Sequence, residues 1–95
     1  MGYKIVHEKL GVNYELPELL QGEMETFEAE YQTFAEARGI QLSVFSGCVV
    51  RTAAKIGWLN GLKEEDVAKM NPGAVLFISN HIAEAIMAAR EIPPS

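Results

Sequence analysis

The chain has one cysteine, Cys48, in 95 residues, so no intrachain disulfide framework exists and a reducing compartment is expected. It has two histidines, His7 and His81, and neither has a Cys or Asp at metal-ligand spacing. Zinc chemistry of the usual kinds is therefore not expected. Basic charge is also scarce: eight Lys and Arg face thirteen Asp and Glu, a net charge of −5. The imbalance is concentrated at one end. Residues 1–36 carry Glu8, Glu15, Glu18, Glu23, Glu25, Glu28, Glu30 and Glu36 against Lys4 and Lys9 alone, a net −6. Such a surface repels phosphate backbones, and nucleic acid is not an expected partner.

Long apolar runs are missing as well. No uninterrupted apolar run is longer than that at residues 74–78, which falls far short of a membrane span. The opening Met-Gly-Tyr-Lys-Ile-Val-His is too polar for a secretory signal, and Val6 stands where a myristoylation motif needs Ser or Thr. These features predict a soluble cytoplasmic protein without a membrane partner. Gly57, Gly61 and Gly73 lack phosphate-loop spacing and sit at expected helix ends and turns. Ser43 and Ser46 have no base partner by pattern, and Cys48 falls on an apolar helical face, where a thiol is a small hydrophobe. No catalytic set, metal site or cofactor site is expected, and the chain reads as a non-enzymatic protein.

What remains is a pattern of elements. The chain is long enough for one modest core, and its hydrophobic fraction of 48% is that of a folded domain. Residues 3–7 and 12–16 read as two strands around a turn at 9–11, and Pro17 ends the second. A first helix covers about 20–38, with Met24, Phe27, Tyr31 and Phe34 on one side and glutamates on the other. A second covers 42–57; Phe45, Cys48, Val49, Thr52 and Ile56 share one side, and small groups cover its back. Only Arg51 and Lys55 mark a wet edge, so this helix is expected at the centre. A short third helix spans 63–70, poorly capped because Lys63 stands where Ser or Thr is preferred. The predicted class is mainly α (α+β): an N-terminal hairpin over 1–17, four helices over 18–90 and an extended tail at 91–95.

The fourth helix, residues 71–89, is the richest segment. Asn71 suits the N-cap and Pro72 the first helical position. Val75, Ile78, Ile82, Ala85, Ile86 and Ala89 form one stripe at about 100° per residue. Leu76, Phe77, Ala83 and Met87 lie off that stripe and are apolar surface that one core does not need. They are the expected partner-binding residues. Trp58, the sole tryptophan, is expected in the core, with an interface anchor as its alternative role. His81 beside Glu84 reads as a solvated helix edge, and His7 as an exposed strand residue.

Three stretches together carry a family resemblance: YELPELLQGEMETFE at 14–28, RTAAKIGW at 51–58 with MNPGAV at 70–75, and AAREIPP at 88–94. In these the chain resembles the tail assembly chaperones of long-tailed bacteriophages. The resemblance implies a role in binding the tape-measure protein and bringing tail-tube subunits to it, in the host cytoplasm. It further implies homo-oligomers and no catalytic residues. A chaperone of this kind needs exposed apolar surface kept soluble by flanking negative charge. A different reading stays open: a small acidic phage-encoded inhibitor of a host defence protein, acting through Glu25, Glu28 and Glu36 by protein–protein contact. A permanent structural part of a virion is a third.

Overall fold

A computed structural model describes residues 3–38 and 42–91. The hairpin forms where alternation and turn chemistry put it. Strand β1 (Tyr3–His7) pairs antiparallel with β2 (Val12–Leu16), in a register from Tyr3 opposite Leu16 to His7 opposite Val12. Between them Glu8–Leu10 make one turn of 3-10 helix. Gly11 follows at φ 66°, a left-handed conformation that side chains with a Cβ disfavour. The His7 Nδ1 accepts the Leu10 N–H at 3.3 Å, so this side chain caps the turn rather than standing free on a strand. Ile5, Val12 and Leu16 are buried against the helices. That packing answers the marginal stability of a lone hairpin.

Three α-helices follow: α1 (Gln21–Arg38), α2 (Leu42–Lys55) and α3 (Pro72–Arg90). The mainly helical class with an N-terminal hairpin is as predicted. The third of the four expected helices is a 3-10 segment, Glu64–Lys69. Lys63 makes no side-chain cap there, and Val67 is the one buried residue, so neither end chemistry nor an apolar stripe sustains an α-helix.

Helix α2 is the hub, packed against α1, α3 and the 3-10 segment. Among its residues Ser46, Cys48, Val49, Val50, Thr52, Ala53 and Ala54 are all buried. Small side chains on its back let α3 approach closely. The buried Thr52 hydroxyl donates to the Cys48 carbonyl at 2.6 Å, which leaves it satisfied. The helix closes in a Schellman arrangement: Gly57 takes φ 86° and the Trp58 N–H returns to the Ala53 carbonyl at 2.9 Å. This return throws Trp58 back over the core.

Helix α3 begins as expected. The Asn71 Oδ1 accepts the Gly73 N–H at 2.7 Å, and Pro72 takes the first helical position. Val75, Ile78, Ile82 and Ala85 of the expected stripe are buried, joined by Ala74 and Ser79. Ile86 is half-buried and Ala89 exposed, so the last turn runs out beyond the core. At 19 residues and mean hydropathy 1.2, α3 is long and apolar enough to cross a membrane by length and composition. That qualifies the expectation drawn from the longest uninterrupted run. In this structure its inner side forms part of the domain core.

Candidate docking surface on the last helix

With Ile78 and Ile82 facing inward, the opposite side of α3 faces solvent. At about 100° per residue, Leu76, Ala83 and Met87 fall within roughly 40° of one another on that side. All three are exposed, Leu76 by 44% and Met87 by 72%. Separations of seven and four residues make this a straight line, about 16 Å long at the α-helical rise. Among the described residues the other exposed large hydrophobics are scattered: Val6 on β1, Leu20 just before α1 and Phe45 on α2. Scattered single residues of that kind are ordinary surface.

Two of the expected partner-binding residues fall elsewhere. Phe77 is half-buried and turned toward the hairpin. It meets the His7 ring edge-on at 5.0 Å between centroids and lies 4.4 Å from the His81 ring. Trp58 is 1% exposed, stacked on Phe27 at 4.9 Å, and its Nε1–H donates to the Glu23 carboxylate at 3.0 Å. Its role as an interface anchor is therefore corrected: a side chain this enclosed has no surface to offer, and its polar atom is already used.

His81 is likewise no solvated edge. The Tyr3 hydroxyl stands 3.2 Å from the His81 Nδ1 and donates to the Glu84 carboxylate at 3.0 Å, joining β1 to α3. Burial, then the hydrogen bond and charge of Glu84, raise the Tyr3 pKa above its ordinary 10.0. Periodicity had no means of finding this cluster, since Tyr3 and His81 are 78 residues apart.

The glutamates of α1 divide between two sides. Glu23 is taken by Trp58, and Glu30 pairs with Lys55 at 2.8 Å, which raises the Lys55 pKa. On the other side, Glu25, Glu28 and Glu36 are exposed. They lie within an arc of roughly 80°. Glu25 accepts a hydrogen bond from Gln21, and Glu28 is paired with Arg90, the last residue of α3. This ion pair ties the end of α3 to α1. Cys48 sits enclosed in α2, and among the described residues no three His, Cys, Asp or Glu side chains gather as a metal site. No protein-family model, curated protein or solved structure matches the chain.

Proposed function

We propose that the chain is a non-enzymatic binding protein that acts as a tail assembly chaperone, with Leu76, Ala83 and Met87 as the surface that takes the tape-measure protein. One observation carries this reading: three apolar side chains stand in line on the outer side of a helix whose inner side already completes the core. Burying this line against a partner is favourable, and leaving it in water is not. Methionine suits such a role because its unbranched, polarizable side chain adapts to different contacts. The acidic side of α1 keeps the unbound form soluble. An inhibitor working through the glutamates alone has less support, because Arg90 already engages Glu28.

Co-expression with a tape-measure protein tests the reading. The intact chain should keep that protein in the soluble fraction and elute with it. Met87→Asp and Leu76→Asp should fold normally and lose both effects. Unchanged recovery with both variants would remove α3 from the function. Light scattering on the same preparations measures whether the free chain self-associates.

A further inference from the structure

We infer that Asn60–Gly61 is a site of spontaneous covalent modification, where the chain closes a ring on itself, loses ammonia and reopens in water as aspartate or isoaspartate. The site is independent of the binding role proposed for α3. It lies at the junction between α2 and the 3-10 segment Glu64–Lys69.

Asparagine is among the heat-labile residues, because the backbone nitrogen of the next residue can attack its side-chain amide carbon and close a five-membered ring. Four asparagines occur in the chain, at 13, 60, 71 and 80, and only Asn60 precedes glycine. At Asn71 the attacking nitrogen would be that of Pro72, which carries no hydrogen to give up. At Asn80 it is that of His81, inside α3, where the helical ladder holds the N–H groups. At Asn13 it is that of Tyr14, extended in β2 and shielded by a bulky side chain. At Asn60 it is that of Gly61, and both residues are exposed. Apart from its chain neighbours, no atom lies within 4 Å of where a Cβ on Gly61 would stand. Among the described residues no backbone carbonyl accepts the Gly61 N–H.

The local backbone needs this pair and also frees it to react. Residues 59–62 form a turn closed by the Leu62 N–H on the Leu59 carbonyl at 3.2 Å. Gly61 takes φ 79° in the third place, as a type II turn requires. The Asn60–Gly61 peptide plane can turn over between the type II and type I forms with Leu59 and Leu62 left in place, because glycine tolerates both signs of φ. That rotation carries the Gly61 nitrogen past the Asn60 side chain, a movement that a helix or strand ladder forbids.

The chemistry needs water alone. The Gly61 nitrogen gives its proton to water or hydroxide and bonds to the Asn60 Cγ. The side-chain nitrogen takes up a proton and leaves as ammonia. Water then adds to one of the two ring carbonyls. Cleavage at Cγ restores the ordinary backbone with aspartate at position 60. Cleavage at the main-chain carbonyl leaves isoaspartate, which routes the backbone through the side chain and lengthens it by one carbon. Either product adds a negative charge to a chain already at −5. Isoaspartate also displaces the turn that joins Leu59, enclosed in the core, to the half-buried Leu62 and the 3-10 segment packed on α2.

The full chain, held in mildly alkaline buffer and sampled over weeks, tests this by peptide mapping. Trypsin cuts after Lys55 and Lys63 and releases residues 56–63, with Trp58 as chromophore. That peptide should grow heavier by the mass difference between amide and acid, with isoaspartate exceeding aspartate, while Asn13, Asn71 and Asn80 stay unchanged. Asn60→Gln, whose extra methylene prevents a five-membered ring, should abolish the gain. The isoaspartate form, separated by chromatography, should melt several degrees below the parent. Asn60→Glu adds the charge without lengthening the backbone and should melt with the parent.

Absence of any gain at Asn60, over a period that converts a synthetic peptide of residues 56–63, overturns the inference, because the fold then holds the pair out of reach. Equal gains at all four asparagines overturn the part played by the turn, and aspartate without isoaspartate overturns the ring. An isoaspartate form that melts with the parent overturns the effect on the junction.

Discussion

The two sides of α3 are built from the same kinds of residue and meet opposite fates. Ile78 and Ile82 are enclosed on the inner side, while Leu76 and Met87, within the same few turns, stand largely in water. Between them lies an edge where Phe77 and His81 are half-buried against the hairpin. Hydrophobicity alone does not separate these three zones. Neighbours do: α2 covers one side, β1 reaches the edge, and among the described residues no element packs over Leu76 and Met87. The difference teaches that an apolar residue on a small helical domain is a core residue only where a second element reaches it. The remainder is surface available for binding.

Substitutions across the three zones should grade accordingly. Ile82→Ala, on the inner side, should cost about 2–5 kcal/mol, the range for truncating an enclosed aliphatic side chain, read by urea unfolding. Phe77→Asp, on the edge, should cost about 1–3 kcal/mol, because it removes packing on His7 and sets a charge against a partly buried seam. Met87→Asp, on the outer side, should change stability by less than about 0.5 kcal/mol while abolishing partner binding. A Met87→Asp variant that unfolds as easily as Ile82→Ala would erase the contrast.

The smallest effect lies at the seam between hairpin and helix. Below about pH 10 the Tyr3 hydroxyl is protonated in both folded and unfolded chains, and its contribution is fully present. As pH rises further the unfolded chain releases its proton first, because the folded pKa is raised, so stability falls. Lys55 acts in the same sense: its folded pKa lies above 10.5 beside Glu30, and the unfolded chain again deprotonates first. Thermal melting should therefore be level near neutrality and decline above about pH 10. Tyr3→Phe with Lys55→Met should flatten that decline; an unaltered slope would show that neither contact matters to stability.

Much of this fold was legible before any coordinates. Both strands, the Asn71–Pro72 start of α3 and the return at Gly57 fall where the residues place them. The inner stripe of α3 also follows from spacing, up to Ile86, where the chain outruns its neighbours. The candidate site was only partly legible. Leu76, Ala83 and Met87 emerge as surplus apolar residues by counting around a helix, but Phe77 emerges by the same count and is wrongly grouped with them. Nothing in residues 70–90 announces that His7 will fill the space beside Phe77. Trp58 shows the same limit from the other direction, because its hydrogen bond to Glu23 spans 35 residues.

The sequence by itself determined the types and ends of most elements, since strand alternation, helix caps and left-handed glycines act within a few residues of one another. It also determined the supply of charge and apolar surface, which composition fixes. Only the tertiary structure decided which of that surface stays outside, and that Glu28 of α1 meets Arg90 at the end of α3. These two residues are 62 positions apart, and their meeting depends on both helices packing on α2. Proximity of that kind is set by how whole elements share one core, which no local pattern encodes.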